Sequence, residues 1–146
     1  LYAPHLYIKF FPTRRSSDLI DEIDGRPARS YYQWTALLRA LSSFEAFAEI
    51  YRGSPGTRKV SELLLLRPDV PRSLRACMDE LSLMLASLPG DNGRSAQRLA
   101  AELEARLRYT SIIEVLDEGL HAWLTDFILL VRQLGQAIQT SYLEVA

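Results

Sequence analysis

The stretch Glu118-Gly119-Leu120-His121 sets a carboxylate and an imidazole three residues apart, a spacing that places both on one side of a helix. Carboxylate-bridged metal bundles use this spacing, but they need a second copy of the motif and further carboxylates from two other helices. The one other histidine, His5, lies in an N-terminal stretch that reads as outside the domain. Two ligands fall short of the three or four that a protein site normally supplies, so no metal is expected. Glu118 and His121 remain polar-site candidates, and the plainer expectation is a histidine hydrogen-bonded within or at the edge of the fold. Cys77, the single cysteine, falls on an apolar stripe, where a free thiol behaves as a small hydrophobe. Arg72 and Arg75 in "PRSLR" fall at a helix start, where free N–H groups and the helix dipole favour an anion or a partner's carboxylate. Pairing with acidic residues such as Asp69 or Glu114 inside the same fold is the competing and stronger expectation. No GxSxG, HExxH or phosphate-binding glycine loop occurs, so no catalytic and no cofactor-binding residue is assigned.

These side chains must be positioned by helices. Tyr31, Trp34, Leu38, Leu41, Phe44, Phe47 and Ile50 step by three or four residues, which predicts one helix starting at Ser30 and stopping at "GSPG". A short helix follows from Thr57 to about Leu66. Pro71 restarts the chain, and Leu74, Cys77, Met78, Leu81, Leu85 and Leu88 form the next stripe. "PGDNG" from Pro89 to Gly93 is a dense turn signal. Beyond it, Ala96, Leu99, Leu103 and Leu107 mark a fourth helix. Ser111 and Glu114 have capping-box spacing, and a last segment reaching Leu143 can divide at Gly119. Trp34 and Trp123 fall at helical spacing and read as core or bundle-edge residues. No β-branched alternation with a hairpin turn follows residue 20, so the expected fold is all-α, an antiparallel bundle of about five helices around one core.

The chain has 146 residues, 48% hydrophobic and 24% charged, with formal net charge −1. Without Lys9, Arg14, Arg15 and Asp18 of the N-terminal stretch, 14 basic and 17 acidic residues remain, net −3, which is not a nucleic-acid surface. The longest apolar clusters, at 63–66 and 127–131, are far below the roughly 20 residues of a bilayer span, so no membrane partner is expected. One cysteine and a poor signal-peptide pattern point to the cytoplasm. Residues 1–19 are set apart. They lack any apolar period, and "FPTRRSSDL" can be encoded as ttc cct aca cga cgc tct tcc gat ct, which resembles the end of a sequencing-library adapter. The expected organisation is a non-native or disordered segment at 1–19 and one helical domain at 20–146.

Three stretches, "FEAFAEIYRG", "LLLLRPDVPRSLRACMDEL" and "LRYTSIIEVLDEGLHAWLTDF", together resemble the alpha-E family, a bacterial helical domain of unknown biochemical function. The resemblance runs from about Tyr31 to Tyr142. It covers the C-terminal half of a full member, so the chain is expected to be a fragment of a larger helical domain. The resemblance implies a neighbourhood of circularly permuted ATP-grasp and transglutaminase-like proteins, hence peptide or amide metabolism. The expected role is a non-catalytic accessory or scaffold domain that binds such a partner. The alternative is an enzyme acting on peptides or amides at a site assembled between helices. An apolar face on the first or final helix is expected to favour self-association.

Overall fold

The computed structural model describes residues 27–88 and 93–143, with side chains described from Tyr31 onward. Residues 1–19 fall outside the described part. Among the described residues the fold is all-α, with seven α-helices and no strand. They are α1 (Pro27–Ala40), α2 (Phe44–Ile50), α3 (Thr57–Leu66), α4 (Leu74–Ser87), α5 (Arg94–Tyr109), α6 (Ile112–Glu118) and α7 (Leu120–Ile138), and a π-helical turn, Gln139–Leu143, ends the described chain.

The first segment, expected to be continuous, is divided, and the last divides at Gly119, where a break was allowed for. The first helix starts at Pro27, not Ser30, since proline at the first helical position loses a hydrogen bond that no helix makes there. It then ends at Ala40 because Ser42 takes a left-handed conformation, φ 50°. The Ser43 N–H donates back to the Leu38 carbonyl at 2.8 Å and the Ser42 N–H to the Arg39 carbonyl at 3.0 Å, so the freed carbonyls are satisfied. α2 restarts at Phe44 with the apolar spacing intact. The second division is at Gly119, φ 98°, a conformation glycine adopts without steric cost. α3 matches its expected bounds.

Pro71 is not in α4 but in the turn before it. Ser73 is the cap, its hydroxyl accepting from the Ala76 N–H at 3.0 Å and donating to the Arg67 carbonyl. α4 and α5 form a helical hairpin in which Gln97 Nε2 donates to the Leu85 carbonyl at 2.9 Å, tying the end of one helix to the start of the next. α6 begins with the full capping box: the Ser111 N–H donates to Glu114 Oε2 at 2.7 Å, and the Glu114 N–H donates to the Ser111 hydroxyl at 3.3 Å.

Among the described residues the buried side chains fall into two clusters, not the single core expected. The larger joins α4 to α7 through residues such as Met78, Leu103, Leu107, Val115, Trp123 and Phe127. Its centre is the Trp123–Phe127 stack, with ring centroids 5.2 Å apart and the Arg106 guanidinium 5.7 Å from the indole. The smaller consists of Leu38, Phe47, Val60, Leu63 and Val70. Helix α3 serves both, because Leu65 faces the larger cluster while Val60 and Leu63 face the smaller.

Candidate functional site

Where the two clusters meet, a groove of about 540 Å³ opens beside α3 and α7. Its α3 side consists of Val60, Ser61, Leu64 and Leu65, the i, i+1, i+4, i+5 set that shares one helix face. Its α7 side runs from Leu120 to Arg132 and includes His121, Leu124, Thr125 and Ile128. Trp34 comes from α1, Leu74 and Cys77 come from the start of α4, and Arg72 from the turn before it. The surface is apolar, and among the described residues the charged groups on it are guanidinium groups.

Only part of the expected site gathers here. His121 lines the groove, but Glu118 does not. They do not share a helix: Glu118 ends α6, exposed, and His121 lies half-buried in the first turn of α7 beyond the Gly119 break. The sequence spacing assumed an uninterrupted helix, and the positive φ at Gly119 removes that premise.

Arg72 lines the groove and Arg75 does not. Arg72 precedes the Ser73 cap instead of lying in the first turn, and its Nη1 donates to the Leu41 carbonyl at 3.5 Å, at the end of α1. Arg75 is half-buried, with Nε 4.0 Å from Asp79 Oδ2. Arg75 thus finds the expected internal carboxylate in Asp79 and not in Asp69 or Glu114, which are bound by Arg67 and by the α6 cap; Arg72 pairs with no carboxylate among the described residues. Cys77 also differs from its reading as a buried small hydrophobe: it is exposed, and its thiol lies 3.7 Å from the Pro71 carbonyl.

Among the groove residues not singled out from sequence are Arg132 and Ser61. Arg132 lies three to four residues per step along the line His121, Thr125, Ile128, so a helical projection of the last segment carried the signal. Ser61 is only 4% exposed, and its hydroxyl has no hydrogen-bond partner among the described residues. A serine inside an apolar α3 run gives no sequence cue to that. Among the described residues no three His, Cys, Asp or Glu side chains cluster to hold a metal ion. The strongest electrostatic perturbations lie elsewhere. Burial, and then the hydrogen bond from Tyr51 Oη to Glu62 Oε2 at 2.8 Å, push the Tyr51 phenol far above its ordinary range. The Arg67 guanidinium holds the Asp69 carboxyl below its usual value.

A family model described as Alpha-E, a predicted alpha-helical domain with a conserved ER motif, matches residues 8–143. The chain belongs to the Alpha-E family. That span begins earlier than the resemblance recognised from Tyr31, and it takes in residues 8–19 of the segment set apart above. No glutamate in this Alpha-E chain is followed directly by arginine, so the ER motif is not present as a dipeptide. No curated protein and no solved structure matches the chain. Among the described residues no helix is long and apolar enough to cross a membrane.

Proposed function

We propose that this Alpha-E chain is a non-catalytic accessory or scaffold domain that holds a partner protein on the groove beside α3 and α7. The observation that carries the reading is the groove itself: a wide apolar surface continuous with exposed Leu129 and Val131 on α7. Such surfaces are typical of protein interaction sites. The family resemblance supplies the candidate partners, a circularly permuted ATP-grasp protein or a transglutaminase-like protein in bacterial, cytoplasmic peptide or amide metabolism. Co-elution of the purified chain with each candidate tests this. One candidate is expected to form a stable complex that Ile128→Asp disrupts, and a complex untouched by that change would remove the groove from the interface.

A second reading, an enzyme acting on peptides or amides, is supported by one observation: Cys77, His121, Arg72 and Arg132 all line the same groove. It requires peptide or amide turnover that is lost in both Cys77→Ala and His121→Ala. The scaffold reading expects both variants to keep partner binding within about three-fold, since truncating peripheral interface contacts is close to neutral.

A further inference from the structure

We propose that the occupant of this groove is an acidic amphipathic helix of the partner, packed along α3 and α7 with carboxylates at Arg72 and Arg132. The inference rests on the scaffold reading above and specifies the chemistry of what docks. Length is the first argument. The α7 wall extends from Leu120 to Arg132, roughly 18 Å at the helical rise, which matches about three turns of a second helix. Docking an apolar helix face in an apolar groove is an established mode of peptide recognition.

Charge is the second argument. Among the described residues no Asp or Glu lines the groove, whereas Arg72 and Arg132 do, in a chain with 17 basic and 18 acidic residues. The absence of carboxylates is therefore not a by-product of a basic chain. Among the described residues neither arginine is paired with a carboxylate; Arg72 reaches only the Leu41 carbonyl. A carboxylate arriving on an occupant would meet guanidinium groups suited to bind it. The third argument is Ser61, a buried hydroxyl on the groove surface with no partner. Such groups are normally satisfied, and a polar side chain within the occupant's apolar face would satisfy this one.

The test uses the full chain and a labelled synthetic peptide of about four turns, with leucines at i, i+3, i+4 and i+7 and glutamates flanking them, followed by fluorescence anisotropy. A lysine-for-glutamate counterpart and a scrambled isomer serve as comparisons. The acidic peptide is expected to bind at least about ten-fold more tightly than either, a difference of about 1.4 kcal/mol. The double variant Arg72→Glu/Arg132→Glu is expected to reverse the preference toward the lysine peptide. Arg58→Glu, exposed on α3 outside the groove, should leave binding within about two-fold. Equal binding of the two charged peptides, binding of neither, or an unchanged preference in the reversed protein would overturn the inference. Saturable binding of dodecanoate in place of peptide would also overturn it, in favour of a small anionic amphiphile. Loss of partner binding in Ile128→Asp without any peptide binding defeats this inference alone. Retained partner binding in that variant defeats the scaffold reading as well.

Discussion

The two buried clusters differ in kind as well as size. The larger holds thirteen buried residues and the smaller five, so the smaller cannot rely on apolar volume to the same degree. It adds a Phe47–Tyr51 stack at 5.2 Å, the Arg39 guanidinium 5.1 Å from the Phe44 ring, and the Tyr51–Glu62 hydrogen bond. The larger cluster instead gains from long helices that meet over several turns, and its stacked indole is 2% exposed. Low local burial favours local opening, so α1 and α2 should open before α5 and α7. The groove lies along this seam, with Trp34 on one side and α7 on the other, and motion of the small cluster would change its width.

Truncation at the two centres is the severest test of that contrast. Trp123→Ala should cost about 3–5 kcal/mol and Leu38→Ala about 2–5 kcal/mol in denaturant unfolding, as large-to-small changes do in packed cores. The sharper readout is hydrogen exchange. Leu38→Ala should speed exchange in α1 and α2 while α5 amides stay protected. Equal loss of protection in α5 would mean that the two clusters open as one unit.

A smaller effect is expected where the π-helical turn folds back on the α4–α5 hairpin. A Cβ on Gly93 would lie 1.6 Å from the Tyr142 hydroxyl, so Gly93→Ala should displace that ring and cost about 1–3 kcal/mol, the usual range for overpacking. In a Tyr142→Ala background the same change should cost little, and a double-mutant cycle measures the difference. If the costs add, the ring does not rest on Gly93.

At the α6 cap, Ser111→Ala removes one of two reciprocal bonds and should cost about 1 kcal/mol in thermal or denaturant unfolding. A loss within error would show that Glu114 alone holds the helix start.

The smallest effect concerns pH and belongs to the small cluster. Tyr51 has its folded-state pKa raised by burial and by Glu62, so the folded state retains the phenol proton longer than the unfolded chain does. That contribution is complete below the unfolded value of about 10 and declines as pH rises above it. Tyr51→Phe should flatten this alkaline decline in stability while losing the bond to Glu62 at every pH. An unchanged slope between about pH 10 and 12 would place the titration elsewhere.

Much of the helical layout was readable because helix starts and stops are local. The bounds of α3 followed from "GSPG" and Pro68, and the α6 capping box from Ser111 and Glu114, since each depends on backbone groups a few residues away. The break at Ser42 was not readable. No glycine or proline marks it, and the apolar spacing of Leu38, Leu41, Phe44 and Phe47 runs through the bend unaltered. It is held by the backbone bonds to Leu38 and Arg39 and by the burial of Leu38 and Phe47 in one cluster.

The site divides the same way. Arg72 and His121 could be named from the chain because residue type and neighbouring sequence marked them, and both line the groove. Glu118 and Arg75 carried comparable marks and do not line it, while Ser61, with no mark, and Arg132, marked only by its place in the helical projection of the last segment, do. By itself the sequence determined an all-α chain, the capping box of α6, the absence of a metal-ligand pattern and the family it resembles. Only the tertiary structure decided that α3 divides its faces between two clusters and that a groove lined, among the described residues, by no carboxylate opens between them. A groove is made by the relative placement of helices distant in sequence, and periodicity along one helix reports which face is apolar, not what that face meets.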